Sequence, residues 1–151
     1  MSKDEKNNTK LKLIAKNQDD LRVISAYSQD SIVSVRDIIF LKKNRIFLMM
    51  INRFMWEDAE KGIFRENKRI RSAIKFEDIF DVKAKKINQK NKNKNLECLT
   101  IKCKKNLNEN YEIKIFFSGD SIITLISEAI EVIMHDIGEP RIVKYVPKHK
   151  I

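Results

Sequence analysis

"SIVSVRDIIFLKKNRIFLMMINRFMW", residues 31–56, decides the fold, because apolar and polar side chains alternate on both sides of a short polar segment. Alternation with a period of two is typical of a β-strand, and the polar "KKNR" at 42–45 is typical of a tight turn. The stretch therefore predicts a β-hairpin. One face of its first arm is predicted to carry Val33, Val35, Ile39 and Leu41.

The second arm of this hairpin, residues 46–56, is apolar on both faces. Strands that are covered on both sides lie inside a sheet rather than at its edge, so we predict a central strand. Trp56, the only tryptophan, is predicted to end this strand with its indole N–H hydrogen-bonded near the sheet edge. The two faces are Ile46, Leu48, Met50, Phe54 and Trp56 on one side, and Phe47, Met49, Ile51 and Met55 on the other.

Four more β patterns follow toward the C-terminus: "RIRSAIKF" at 69–76, "EDIFDVKAKKI" at 77–87, "LECLTIKCK" at 96–104 and "YEIKIFF" at 111–117. The third of these is predicted to place Leu99, Ile101 and Cys103 on one face. "NQKNKNKN" at 88–95 has no apolar residue to bury, so it is predicted to be a mobile hairpin loop.

The flanking segments predict the helical part of the domain. "LKLIA" at 11–15 alternates like a short strand, and "NQDDLRVISAYSQD" at 17–30 predicts a helix with Asn17 as its N-cap. "SIITLISEAIEVIMHDIG" at 121–138 repeats isoleucine at helical spacing and ends in a glycine cap, which predicts a C-terminal helix. Residues 121–126 also fit a strand. The predicted inward stripe is Ile122, Ile126, Ala129 or Ile130, Ile133 and Ile137.

Together these patterns predict an α+β domain: an antiparallel bent sheet or small sandwich with an N-terminal βα extension and a C-terminal helix. The rhythm of its second half is similar to that of pleckstrin-homology-like modules. We predict a flexible N-terminus at 1–9, one domain at 10–138 and a basic C-terminal tail at 139–151.

Composition narrows the class of protein. The chain has 151 residues and a net charge of +10, and residues 83–105 alone hold nine lysines and one glutamate. The abundance of lysine and asparagine favours compositional drift and solubility over a binding footprint. No secretory signal or membrane span is recognisable, so a cytoplasmic location is expected. Cys98 and Cys103 are predicted to face opposite sides of one strand, with reduced thiols.

Enzymatic signatures are scarce. The chain has no Gly-rich phosphate loop, and its two histidines, His135 and His149, have no zinc-ligand spacing. No thiol has a histidine nearby to act as its base. The sequence therefore predicts no catalytic residue, no metal and no cofactor, and it favours a protein that is not an enzyme. An enzyme of unrecognised type is kept as the third alternative.

Two groups of residues are candidates for binding. Asn52, Arg53, Trp56 and Glu57, at the exit of the central strand, form a candidate recognition spot for a protein partner or a second copy. The lysine tract at 83–94 is a candidate site for weak, sequence-independent binding of nucleic acid or an anionic surface. Its members are Lys83, Lys85, Lys86, Lys90, Lys92 and Lys94.

Five segments, "KLIA", "DDLRVISAYSQD", "FLKKNRIF", "NRFMWE" and "HDIG", resemble an alphaproteobacterial family known as domain of unknown function 2948. The resemblance covers roughly residues 11–138, and "NRFMWE" is its most specific part. It implies a small cytoplasmic bacterial protein, and it lends no activity, cofactor or catalytic residue. The Lys-Asn tract departs from the family pattern.

Overall fold

The computed structural model describes residues 10–57 and 67–143. Within these two ranges the chain forms eleven strands and one complete α-helix, and no helix there is long and apolar enough to cross a membrane. The elements are β1 Lys12–Ala15, α1 Gln18–Ser28, β2 Ile32–Ser34, β3 Ile38–Leu41, β4 Ile46–Phe54, β5 Asn67–Phe76, β6 Ile79–Lys85, β7 Asn95–Lys105, β8 Tyr111–Phe117, β9 Ile122–Ser127, β10 Val132–Asp136 and β11 Arg141–Val143.

All strands belong to one open antiparallel sheet in the order β1-β10-β5-β4-β2-β7-β8-β9-β6. β3 pairs with β4 next to β2, and β11 pairs with β5 next to β10. The predicted central position of β4 is confirmed, since β5 lies on one side of it and β2 and β3 lie on the other. The result is a sheet-rich α+β fold.

One face of the sheet surrounds a single apolar core. The inward residues of both ends of the sheet join the same buried cluster as the inner residues of α1, so the sheet must curve around that cluster. The predicted inward residues of β5, Ile70, Ser72, Ile74 and Phe76, are all buried. From β4 the core receives Phe47, Met49 and Ile51; from β8 it receives Ile113, Ile115 and Phe117.

Helix α1 begins as the sequence predicts. The Asn17 side chain accepts a hydrogen bond from the Asp20 backbone N–H at 2.8 Å, and Asp19 and Asp20 lie in the first turn near the positive end of the helix dipole. Leu21 and Ile24 are buried against the sheet, where α1 packs on β7, β1 and β4. The helix therefore covers part of the concave side.

The first hairpin is present, but the predicted phase of its first arm is wrong after Val35. A 3-10 turn at Val35–Asp37 interrupts the strand between β2 and β3. It shifts the alternation by one residue, so Ile38 and Phe40 pack against the core while Ile39 and Leu41 are each 43% exposed. Periodicity alone did not reveal this interruption.

A bulge in β7 overturns the prediction for the two cysteines. The register with β8 shifts between Cys98 and Thr100, which leaves Leu99 outside the alternation and 41% exposed. Cys98 and Ile101 are therefore both buried, and Cys103 packs against the same core. The prediction that Cys98 and Cys103 face opposite sides of the strand is wrong.

The predicted C-terminal helix is replaced by β9 and β10. Ile123, Leu125, Val132 and Met134 are buried, whereas Ile137, from the predicted inward stripe, is 42% exposed. The segment is rich in β-branched residues and has apolar residues on both strand faces, a pattern that also produces helical spacing by coincidence. A pleckstrin-homology-like arrangement closed by a final helix is therefore not seen among the described residues.

The lysine-rich loop does not join a hairpin, contrary to the prediction. β6 pairs with β9, and β7 pairs with β8 and β2, so residues 86–94 cross from one edge of the sheet to its middle. Backbone N–H groups of Val35 and Arg36 donate to the carbonyls of Lys94 and Lys92 at 3.0 and 3.1 Å. The loop is thus tied to the 3-10 turn before β3.

Three predictions concern the parts near the chain ends and the loop after Trp56. The tail predicted at 139–151 contributes a strand, because β11 pairs with β5. The N-terminal segment 1–9 lies outside the described residues. So do residues 144–151 of the tail. The polar segment "EDAEKG" at 57–62 predicts a loop after Trp56, and all of it except Glu57 lies outside the described residues as well.

Candidate functional site

The predicted recognition residue Arg53 lies at the centre of a buried ionic cluster. Its side chain has no exposed surface, although it carries a full charge. Its Nε donates to Asp136 Oδ1 at 2.9 Å and its Nη2 donates to Asp136 Oδ2 at 2.8 Å. This is the paired geometry that a guanidinium and a carboxylate prefer.

Glu57 binds the other side of the same guanidinium. Arg53 Nη1 and Nη2 donate to the two Glu57 carboxylate oxygens at 2.9 and 2.8 Å, and the Glu57 side chain is 18% exposed. Asp136 also accepts from the Ser72 hydroxyl and, at 2.8 Å, from the Leu11 backbone N–H. Arg53, Glu57, Ser72 and Asp136 are called the Arg53 cluster below.

In the Arg53 cluster, hydrogen bonds together change the pKa values more than burial does. Burial by itself would lower the pKa of Arg53, but the bonds to Asp136 and Glu57 raise it above its ordinary value. Burial would raise the pKa of Asp136, but the bonds from Arg53 and Ser72 lower it. Both groups are therefore held in their charged forms inside the fold.

The cluster joins four parts of the chain that are distant in sequence. Arg53 is on β4, Ser72 is on β5 and Asp136 is on β10, while Leu11 precedes β1. Because Arg53 has no exposed surface, it can position Glu57 but offers no surface of its own to a partner. The sequence pattern does not indicate Ser72 or Asp136 as site residues, because the predicted C-terminal helix separates Asp136 from β5, with which it pairs.

Asn52 and Trp56 lie apart from this cluster. Asn52 points to the outer side of β4, where its Oδ1 accepts from Arg141 Nη2 at 3.3 Å. Trp56 follows the strand, is half-buried, and donates its indole N–H to the Gln29 carbonyl at 3.1 Å. Its ring meets the Phe54 ring edge-on at 4.6 Å. Of the four predicted residues, the structure brings Arg53 and Glu57 into direct contact.

The outer side of β6, β9, β8 and β7 forms a basic surface, which we call the basic face. Strand register places Lys83, Thr124, Lys114 and Lys102 in one row across these four strands. The neighbouring rows add eight more outward residues, and the three rows together hold five lysines and two carboxylates. The eight residues are Lys85, Ile122, Phe116 and Thr100 on one side, and Asp81, Ile126, Glu112 and Lys104 on the other.

The lysine tract predicted from the sequence is divided by the fold. Lys83 and Lys85 belong to the basic face, whereas Lys90, Lys92 and Lys94 lie on the crossing loop. Lys86 is within 3.9 Å of an Asp120 carboxylate oxygen. All six lysines of the tract are exposed.

The outer side of β3, β4, β5, β10 and β1 has the opposite character, and we call it the apolar face. One row across all five strands reads Ile39, Leu48, Lys75, Ile133 and Ile14. Ile14 is 51% exposed, and no helix among the described residues covers this side. Adjacent positions add Leu41, Ile46, Met50 and Ala73.

A groove of about 550 Å³ separates α1 from β7. Gln18 and Arg22 line it from the helix, Gln29 lines it just after the helix, and the chain from Leu99 to Cys103 lines it from the strand. The lining contains no carboxylate and no histidine, and its ionisable side chains are those of Arg22, Lys102 and Cys103.

Both thiols are expected to be unreactive in the native state. Burial raises the pKa of Cys98 to about 12 and that of Cys103 to about 11, so little thiolate exists near pH 8. Titration with a disulfide reagent at pH 8 should label Cys103 roughly 100-fold more slowly than free cysteine. Cys98 should react only as the protein unfolds. Rapid labelling of Cys98 in native protein would contradict the β7 register.

Acid should destabilise the protein partly through Asp136. The pKa of Asp136 is lowered in the folded state. Its contribution to stability is therefore complete above the pKa of the unfolded chain, about 3.9, and is lost as the pH falls through the pKa of the folded state. When urea unfolding is measured from pH 7 to pH 2.5, the free energy of unfolding should therefore fall less steeply below pH 4 for Asp136→Asn than for the parent. Parallel curves would show that Asp136 titrates normally.

Comparison with known proteins gives one match. Residues 11–149 match the family described as "Protein of unknown function (DUF2948)". No curated protein and no solved structure matches the chain. Since the match spans nearly the whole sequence, this chain belongs to the DUF2948 family.

Proposed function

We propose that the protein is a non-enzymatic interaction module that binds a protein partner through its apolar face. The observation that carries this proposal is the row Ile39, Leu48, Lys75, Ile133 and Ile14, which runs across five strands. Exposed apolar patches of this extent are typical of interaction surfaces. The free thiols Cys98 and Cys103 are compatible with action in the bacterial cytoplasm.

The exposure of this face follows from the strand character of the C-terminal segment. β4 has apolar residues on both sides, and an apolar outer side normally packs against another layer. β9 and β10 extend the sheet and do not cover it. A partner protein would supply the missing layer.

Charge favours a partner of a different sequence over a second copy. Lys75 lies in the middle of the central row, and the next row ends in His135 and Lys12. Packing two copies face to face would bring like charges close together. An apolar partner surface with a carboxylate near its centre would instead pair with Lys75 as the interface loses water.

Site-specific photocrosslinking in the source cells tests this proposal. A crosslinking residue at Ile39 should give a discrete product with another protein, and the same residue at the fully exposed Leu107 should not. Lys75→Glu should reduce the Ile39 product at least tenfold, while nuclease treatment should leave it unchanged. A product with twice the mass of the chain would indicate self-association. Equal crosslinking from positions 39 and 107 would refute the apolar face as a specific binding surface.

The end of β4 is a further part of this proposal. Glu57, held by Arg53, and the half-buried Trp56 lie next to one another in the chain, and Asn52 is half-buried on the outer side of β4. We place Asn52, Trp56 and Glu57 at the margin of the partner surface, with Arg53 as their support. Trp56→Phe should weaken partner capture less than Lys75→Glu does.

The second candidate function is weak, sequence-independent binding of nucleic acid or an anionic surface through the tract at 83–94. The exposure of its six lysines supports this alternative. Retention on heparin that falls when Lys90, Lys92 and Lys94 become glutamine would support the loop as the site. Unchanged retention would contradict it.

A further inference from the structure

We propose that the basic face binds single-stranded nucleic acid, with its lysines on the phosphates and Phe116 as a stacking platform. This site is separate from the apolar face and does not depend on the proposed protein partner. It also differs from the lysine-rich loop, because three of its lysines, Lys102, Lys104 and Lys114, lie outside the 83–94 tract.

The first observation is the placement of like charges. Lys102 and Lys114 are directly opposite on neighbouring strands, an arrangement that opposes sheet formation. Lys83 lies in the same row, two strands away from Lys114. Lys85 and Lys104 lie in the rows on either side. Since neighbouring strands are about 4.8 Å apart, the row from β6 to β7 spans roughly 14 Å. An extended phosphate backbone would neutralise several of these cations together.

The second observation is an aromatic ring among the lysines. Phe116 is half-buried on the basic face, with the Lys102 ammonium 5.9 Å from its ring centre. Proteins that bind single strands without sequence preference combine cationic grooves with aromatic rings on which bases stack. The lysine tract at 83–94 contains no aromatic residue, but strand pairing brings Phe116 into the row that contains Lys85.

The two acidic residues on this face define its boundary. Asp81 and Glu112 both lie in the row that contains Lys104. The other two rows contain four lysines and no carboxylate. The strand of nucleic acid is therefore expected to run along those two rows, past Thr124 and Phe116.

The half-buried state of the apolar residues on the basic face favours nucleic acid over a membrane. Ile122 and Phe116 are half-buried within the sheet surface and do not project as the exposed apolar side chains of a membrane anchor do. Bases can lie against such a surface while phosphates reach the surrounding lysines. Anionic vesicles serve below as the competing ligand.

Fluorescence anisotropy with a labelled 12-nucleotide oligothymidylate tests the proposal in the full chain. Lys102→Gln with Lys114→Gln should weaken binding roughly 20-fold at 0.1 M salt and reduce the magnitude of the salt slope by about 1.4, as expected for two lost phosphate contacts. The matched control, Lys90→Gln with Lys92→Gln, removes the same charge from the loop and should change affinity less than threefold. Equal losses in the two variants would overturn the basic face as the site.

Phe116→Leu separates base stacking from charge. It should weaken oligonucleotide binding about fivefold or more and leave retention on heparin, which has no bases, unchanged. Equal effects on both ligands, or none on the oligonucleotide, would overturn the proposal. Tighter binding to phosphatidylserine vesicles than to the oligonucleotide, unaffected by Phe116→Leu, would identify a membrane surface instead. The unfolding temperature of Lys114→Gln should be the same as that of the parent or higher. The unfolding temperatures of the other variants should match that of the parent.

Discussion

Replacing Arg53 with methionine should reduce the free energy of unfolding by about 3–5 kcal/mol, the largest effect expected for a single polar side chain here. Without the guanidinium, the buried Asp136 loses its ionic partner and keeps the hydrogen bonds from Ser72 and Leu11. Its pKa should then rise, so stability should increase as the pH falls toward the new pKa. Urea unfolding at pH 5 and pH 8 measures both effects.

Two further variants determine the cause of that loss. Arg22→Met removes an arginine from an exposed pair with Asp19 and should cost at most about 1 kcal/mol. Arg53→Met combined with Asp136→Leu removes both fully buried charges and should recover at least half of the loss, because the remaining carboxylate of the cluster, Glu57, is 18% exposed and in contact with water. An Arg53→Met variant as stable as Arg22→Met would show that the cluster contributes little to the fold.

Met134→Ala should reduce the free energy of unfolding by about 2–5 kcal/mol, because it opens a cavity in the core beneath β10. Ile133→Ala, one residue earlier, should cost only about 1 kcal/mol, because that side chain is half-buried on the outer side of the same strand. Chemical denaturation of both variants measures the difference.

Which of these two variants loses more stability distinguishes a strand from the helix that the sequence predicted. In the helical interpretation, Ile133 belongs to the inward stripe and Met134 does not. A larger loss for Ile133→Ala than for Met134→Ala would therefore contradict β10. A larger loss for Met134→Ala would agree with the register in which Met134 pairs with Leu13 and Ile74.

Strong local signals were sufficient to predict several elements. Asn17 and the acidic residues after it identified α1, and the apolar character of both sides of residues 46–54 identified β4 as central. These signals act over one helical turn or one strand. They are therefore readable without knowledge of the rest of the chain.

Features that depend on distant pairing could not be predicted. The 3-10 turn at Val35–Asp37 and the bulge beside Leu99 each shift the alternation by one residue, and neither contains a glycine or proline that would mark it. The partners of Arg53 were hidden for a related reason. Ser72 and Asp136 meet it only because β10 pairs with β5 and β5 pairs with β4.

The candidate binding surfaces were also predictable only where their residues are close in sequence. Lys83 and Lys85 were identified from the sequence, but their neighbours Lys114 and Phe116 are supplied by β8. A count of lysines in one tract cannot reveal which side of a sheet they share with residues 30 positions away. Cross-strand register is the missing information.

The pairing of β1 with β10 has a consequence for how this chain is made. Lys12 lies opposite His135, so the first strand gains its partner only after more than 120 further residues have been synthesised. β6 must likewise wait for β9. Contacts of such long sequence separation slow folding, and the growing chain on the ribosome will carry unpaired strand edges until β9 and β10 emerge.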